Sequence, residues 1–235
     1  MEIVDIGCPR SIDLLSINSK KDKDTRNILQ TVDIYDHVVI KQDIKNKSNA
    51  LIKTSDNVRK GTNEKLTELL LIYSNYINMK LNNISVNVNY NDISCLKKEE
   101  NILAGFLLAL NYYFKNNLTT HELVYLASKI DNLIGYYIVG GYKKIDSNNK
   151  NISIGKNIYN KYYLLENFNN NEKIKEIFEK YKVLYGIDDC YYVPNDDNNI
   201  VPSKLLINLK REYPDTKIRT VNNSSDHKVL VKYIR

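Results

Sequence analysis

The strongest constraint on this chain lies between Leu103 and Leu110, where LAGFLLAL is apolar on nearly every side of a helix. A helix without a wet face must be enclosed by other elements. The spacing predicts this helix over about Lys97 to Tyr113, with Glu99 and Glu100 in its first turn complementing the helix dipole. With 235 residues, the chain is long enough to bury it, as one large domain or two small ones.

The surrounding segments supply the covering layers. Leu66, Leu69, Leu70, Tyr73 and Ile77 repeat at helical spacing, which predicts a one-striped helix over Asn63 to Lys80. Ile84, Val86, Val88 and Tyr90 alternate with polar residues, as in a strand with one solvated face. Thr119-x-x-Glu122 is a capping box ahead of Leu123, Val124, Leu126 and Ala127. Gly135 to Tyr142 reads as a strand ending in Gly140-Gly141, and three more strands are expected at Glu2 to Ile6, Ile12 to Ile17 and Ile28 to Ile40. Polar residues Lys20 to Arg26 separate the last two.

Beyond Asp146 the run SNNKN marks a boundary, giving expected domains of 1–148 and 149–235. The second half should hold a strand at Tyr162 to Leu165, a helix over Asn171 to Leu184, a helix opened by Ser203 and a strand at Val229 to Ile234. No internal repeat is evident.

Composition narrows the function classes. Hydrophobic residues make up 43% and charged residues 26%, with 4 Pro and 8 Gly, which excludes global disorder. No apolar run reaches the roughly 18 residues of a membrane span, and MEIVDIGCPR lacks a signal-peptide layout, so a cytoplasmic protein without a membrane partner is expected. Cys8, Cys95 and Cys190 are far apart, form no C-x-x-C pair and have few histidines beside them; neither a metal site nor a disulfide framework is expected. His37, His121 and His227 read as exposed polar positions. The Tyr-Tyr pairs, such as Tyr136-Tyr137, read as half-buried filler rather than nucleobase platforms. From Ser203 onward eight Lys or Arg face three carboxylates, nearly the whole formal net charge of +6. Such a segment can attract nucleic acid or an acidic partner.

Five stretches, in order, resemble the GHMP kinase superfamily. Val32-Asp33-Ile34-Tyr35-Asp36 looks like its "idLyD", and Asn63 opens the long amphipathic helix. Leu107-Leu108-Ala109-Leu110-Asn111 is similar to "LxaLN", Leu118 to Leu123 to "ls..EL", and Ile138-Val139-Gly140-Gly141 to the strand after the catalytic turn. Within the superfamily the pattern is most like the 4-diphosphocytidyl-2-C-methyl-D-erythritol kinases of isoprenoid biosynthesis. The resemblance implies a two-lobed α+β fold: an N-terminal lobe like ribosomal protein S5 domain 2 and a shortened ferredoxin-like C-terminal lobe. It also implies ATP and a phosphate-bearing alcohol bound between the lobes.

The chemistry implied by the family is largely missing. Its glycine-rich phosphate loop falls on Ser94 to Asn101, where only Leu96 matches and side chains replace bare backbone. A Glu about 5 Å from a phosphate oxygen, at an effective dielectric near 20, repels it by roughly 3 kcal/mol. Lys97 and Lys98 could offset that repulsion, and with Asn101 they are the ligand candidates there. The family's base aspartate falls on Leu133, which cannot accept a proton, with Asp131 as the fallback base. The lysine of "KINL" falls on Ser11, ahead of the ligand candidate Asp13, while Arg10 points to the other strand face. A late Ser-Gly-rich turn survives as Asn222, Ser224 and Ser225. The resemblance therefore implies a pseudokinase that binds a protein partner or a small phosphorylated ligand and needs no cofactor. Two alternatives stay open: an active kinase using ATP and Mg²⁺, and a nucleic-acid or acidic-partner module using the basic C-terminal segment.

Overall fold

The computed structural model describes residues 2–16, 25–43, 51–54, 61–91, 99–146, 152–154, 162–166, 171–181, 190–191, 200–222 and 228–233. Two long strands, β1 (Glu2–Ser16) and β2 (Thr25–Gln42), form an antiparallel ladder. The sequence suggests two short strands in place of β1, since Gly7-Cys8-Pro9-Arg10 lacks β-branched residues. The strand is nevertheless continuous because its register shifts between Pro9 and Ser11, an irregularity that tolerates a residue with no N–H to donate.

β2 pairs on its other side with β4 (Ile84–Asn89), which runs parallel to β3 (Leu51–Thr54). Val4, Ile6 and Cys8 of β1, Val38 and Ile40 of β2, and Val86 and Val88 of β4 alternate along their strands onto one buried face. Four helices cover it: α1 (Thr62–Tyr76), α2 (Glu99–Phe114), α3 (Thr120–Ala127) and α4 (Asn132–Val139). α2 sits centrally, as its composition demands, with Leu103, Ala104, Phe106, Leu107, Ala109 and Leu110 all enclosed. Its Gly105 is seated against β1 so closely that a Cβ there would lie 1.9 Å from Cys8 Sγ. The capping box forms as expected, Thr119 accepting from the Glu122 N–H and Glu122 from the Thr119 N–H.

Residues 135–139 are helical, not extended as the apolar run suggests. Asp131 caps α4 at one end, Gly140 with φ +66° ends it, and Ile134, Tyr137 and Ile138 fall on the face packed into the core. Helical spacing here is compatible with the same residues that read as a strand, and the two ends decide.

A second core gathers around the far part of the β1–β2 ladder. Ile12, Val32 and Ile34 pack with a three-stranded sheet, β10 (Lys217–Val221), β7 (Tyr162–Glu166) and β9 (Ile200–Pro202), and with α5 (Asn171–Tyr181) and α6 (Ser203–Glu212). Ile174 and Ile177 on α5, and Leu205 and Leu209 on α6, supply its helical side. Short strands β5 (Tyr142–Asp146), β6 (Ile152–Ile154) and β8 (Cys190–Tyr191) extend the ladder. β11 (Lys228–Tyr233) returns to pair with β1. The architecture is thus a two-lobed α+β fold. Among the described residues no helix is long and apolar enough to cross a membrane.

Candidate binding site at the start of the central helix

The polar residues singled out in the sequence converge only in part. Glu99 and Glu100 occupy the first turn of α2, and Glu99, almost fully enclosed, forms an ion pair with Lys65 from the first turn of α1. The hydrogen bond to Glu99 raises the Lys65 ammonium above its ordinary pKa. The neighbouring charges of Glu100 and Asp131 push the same way, so the start of α4 also lies nearby.

Asp131 is the N-cap of α4: its Oδ1 accepts from the Leu133 N–H at 2.8 Å. Leu133 packs against the first core. Ser11 is fully enclosed and its Oγ lies 2.7 Å from the Tyr137 hydroxyl of α4. Each of these expected site residues is therefore engaged by a partner from its own chain.

Arg10 and Asp36 are the site residues that sequence reasoning misses. Both are wholly enclosed, and they pair through two hydrogen bonds, Arg10 Nε to Asp36 Oδ2 at 2.9 Å and Nη2 to Oδ1 at 2.6 Å. Simple strand alternation sends Arg10 and Ser11 to opposite faces. Both faces of β1 are covered here, every residue from Ile6 to Ile12 being buried, so both residues are enclosed. Asn101 completes the cluster, its Nδ2 donating to Asp36 Oδ2 at 3.1 Å and to the Cys8 carbonyl at 3.3 Å. Among the described residues its Oδ1 is buried with no partner, as is Thr62 Oγ1 at the start of α1. A buried acceptor left unpaired costs about 1–3 kcal/mol.

Asn222 is engaged elsewhere. It follows β10, and its N–H and Nδ2 donate to the two carboxylate oxygens of Asp33 at 2.9 and 3.0 Å, while its carbonyl accepts from the Asp33 N–H. The two acids of the stretch 32–36 thus do different work, Asp33 outward to Asn222 and Asp36 inward to Arg10. Two acids three apart in an apolar strand are the signal available in the sequence. Asp13 lies in β1 opposite Leu29. Lys97, Lys98, Ser224 and Ser225, the rest of the stretch Ser94 to Lys98, the SNNKN run and His227 lie outside the described residues.

His121 is exposed, whereas His37 is half-buried on the sheet, its Nδ1 2.8 Å from Asp5 Oδ1. Among the described residues no group of three or more His, Cys, Asp or Glu is placed to hold a metal ion.

No protein-family model and no curated protein sequence matches the chain. Solved structures do match. Homoserine kinase from Cytophaga hutchinsonii aligns over 97% of this chain and 97% of its own, with a TM-score of 0.65 at 11% identity. Mevalonate diphosphate decarboxylase from Enterococcus faecalis aligns over 98% and 99%, with a TM-score of 0.64 at 11% identity. Mevalonate kinase from Methanococcus jannaschii aligns over 95% and 98%, with a TM-score of 0.58 at 12% identity. At such low identity and near-complete coverage the shared property is the backbone plan: the chain has the same two-lobed α+β fold as these two kinases and the decarboxylase.

Proposed function

We propose that the protein is a degenerate member of the GHMP kinase superfamily, most like the 4-diphosphocytidyl-2-C-methyl-D-erythritol kinases, that acts by binding rather than by phosphoryl transfer. One observation carries the reading: four of the described charged and hydroxyl groups the family comparison points to are engaged within the chain. Arg10 is paired with Asp36, Lys65 with Glu99 and Ser11 with Tyr137, and Asp131 caps α4. Phosphoryl transfer depends on positive charge and donors held ready for the phosphates. The described residues do not fit a magnesium triphosphate: the nearby cations are engaged, and carboxylates stand in the helix turn where a phosphate would seek N–H groups. Leucine at position 133 leaves that position without a base.

The occupant we favour is a protein partner or a small ligand that needs no cofactor. Titration calorimetry with ATP and Mg²⁺, followed by a phosphoryl-transfer assay on a cytidylyl alcohol, tests the proposal. No turnover is expected. Micromolar ATP affinity together with turnover would overturn it, and a further drop of about a hundredfold in Asp131→Asn would then make Asp131 the base.

A further inference from the structure

The buried carboxylate of Asp36 gathers donors from three separate parts of the chain. Arg10 of β1 reaches it through Nε and Nη2, at 2.9 and 2.6 Å. The backbone N–H of Asn91, two residues beyond β4, donates to Oδ1 at 2.9 Å, and the Asn101 side chain, in the first turn of α2, donates to Oδ2 at 3.1 Å. Arg10 Nη2 also donates to the Asn91 carbonyl at 3.2 Å, so both backbone groups of Asn91 are held by the same ion pair. Asn91 and Asn101 are ten residues apart, a separation that could span about 33 Å if extended. Here they meet on one carboxylate.

Stability alone does not explain this arrangement. A buried ion pair is often matched or bettered by well-packed apolar residues. The amide of Asn101 is moreover fixed in one sense, because turning it over would set its oxygen against the Asp36 carboxylate. That fixed sense leaves Oδ1 buried and, among the described residues, without a partner. The cluster therefore tolerates an unpaired acceptor in order to keep this geometry.

We infer that Asp36 is a positioning residue: with Arg10 it staples the end of β4 to the start of α2, and so sets where the central helix begins, with or without a ligand. The inference goes beyond the proposed binding function and stands whether or not the protein turns over a nucleotide.

Residue-resolved amide hydrogen exchange on the full chain tests it. Arg10→Met combined with Asp36→Leu removes both charges and leaves neither stranded. In the folded double variant the Asn91 amide should exchange about a hundredfold faster, while amides in the β2–β4 ladder change less than about fivefold. Equal protection of Asn91 in the folded variant would overturn the staple, because packing alone would then place it. Asn101→Ala, which keeps the ion pair, serves if the double variant does not fold. It should speed exchange of the Leu103 amide, which bonds back to the Glu99 carbonyl in the first turn of α2, about tenfold with Asn91 unaffected. An unchanged Leu103 amide would refute the inference.

Discussion

Replacing Gly105 with alanine measures how firmly the central helix is seated on the sheet. The added Cβ would lie 1.9 Å from Cys8 Sγ and 3.3 Å from Val38 Cγ2. Ordinary carbon contacts are about 3.5–4.0 Å, so helix and strand would have to part by roughly 1.5 Å or the thiol would have to leave its place. Cys8 is fully enclosed, which gives it nowhere to go. Overpacking of this kind costs about 1–3 kcal/mol, and the clash sits at the upper end. Alanine in place of glycine returns about 1 kcal/mol of helix propensity, leaving a net loss of about 2 kcal/mol.

Cys8→Ala alone empties the space of one sulfur and should cost about 1 kcal/mol. In the double variant the nearest remaining atoms are Val38 Cγ2, 3.3 Å from the new methyl and asking a shift of only a few tenths of an ångström, and the Cβ of residue 8 at 3.5 Å, an ordinary contact. The methyl then fills the vacated space, so the pair should cost less than either change and show a coupling of about 2–3 kcal/mol. Equilibrium urea unfolding of the four proteins reads this directly, since 2 kcal/mol at a slope near 2 kcal/mol/M moves the midpoint by about 1 M. Strictly additive losses, or a stabilised Gly105→Ala, would refute the close seating.

Asp131→Ala should cost about 1 kcal/mol of stability by removing the α4 cap, and Asp131→Asn, which keeps an acceptor, a few tenths; urea midpoints compare them. Burial, followed by the charges of Asp36 and Asp5, pushes the Cys8 thiol well above its ordinary pKa. It should therefore resist a thiol reagent until the protein unfolds, which timed labelling with and without denaturant reads. Because the folded value is the higher one, the thiol's contribution is complete below the unfolded thiol pKa and is lost as pH rises toward the folded one; Cys8→Ala should soften the alkaline limb of a stability–pH curve. Hydrogen bonds from the Thr119 backbone and side chain, then from Tyr76, hold the Glu122 carboxyl below its usual range. Its contribution is present above the unfolded pKa and lost as pH falls through the folded one, so Glu122→Gln should flatten the acid limb.

Elements whose own residues determine them are legible in the sequence. The enclosed α2 follows from its composition, α3 from its capping box, and β4 from strict alternation. α4 is not legible in this way, because its apolar run satisfies strand and helix periods alike and only the Asp131 cap and Gly140 choose between them. Short strands such as β3 and β10 are fixed by their partners across the sheet, which no local pattern records. The candidate site shows the same division. Local logic places Glu99 and Glu100 at the start of α2. It gives no hint that Arg10 meets Asp36, 26 positions on, since that meeting depends on the pairing of β1 with β2, which sets Cys8 opposite Asp36 and Arg10 diagonal to it on the same face.

β11 joins the sheet beside β1, although everything in the second core except Ile12 lies between them in the chain. On the ribosome, the first strand therefore waits for its outer neighbour until the whole second lobe has emerged. Pairing across so great a sequence distance is slow to form. Until then one edge of β1 stands open to any other nascent strand, a window in which a chaperone would matter more to this protein than to one whose lobes close in turn.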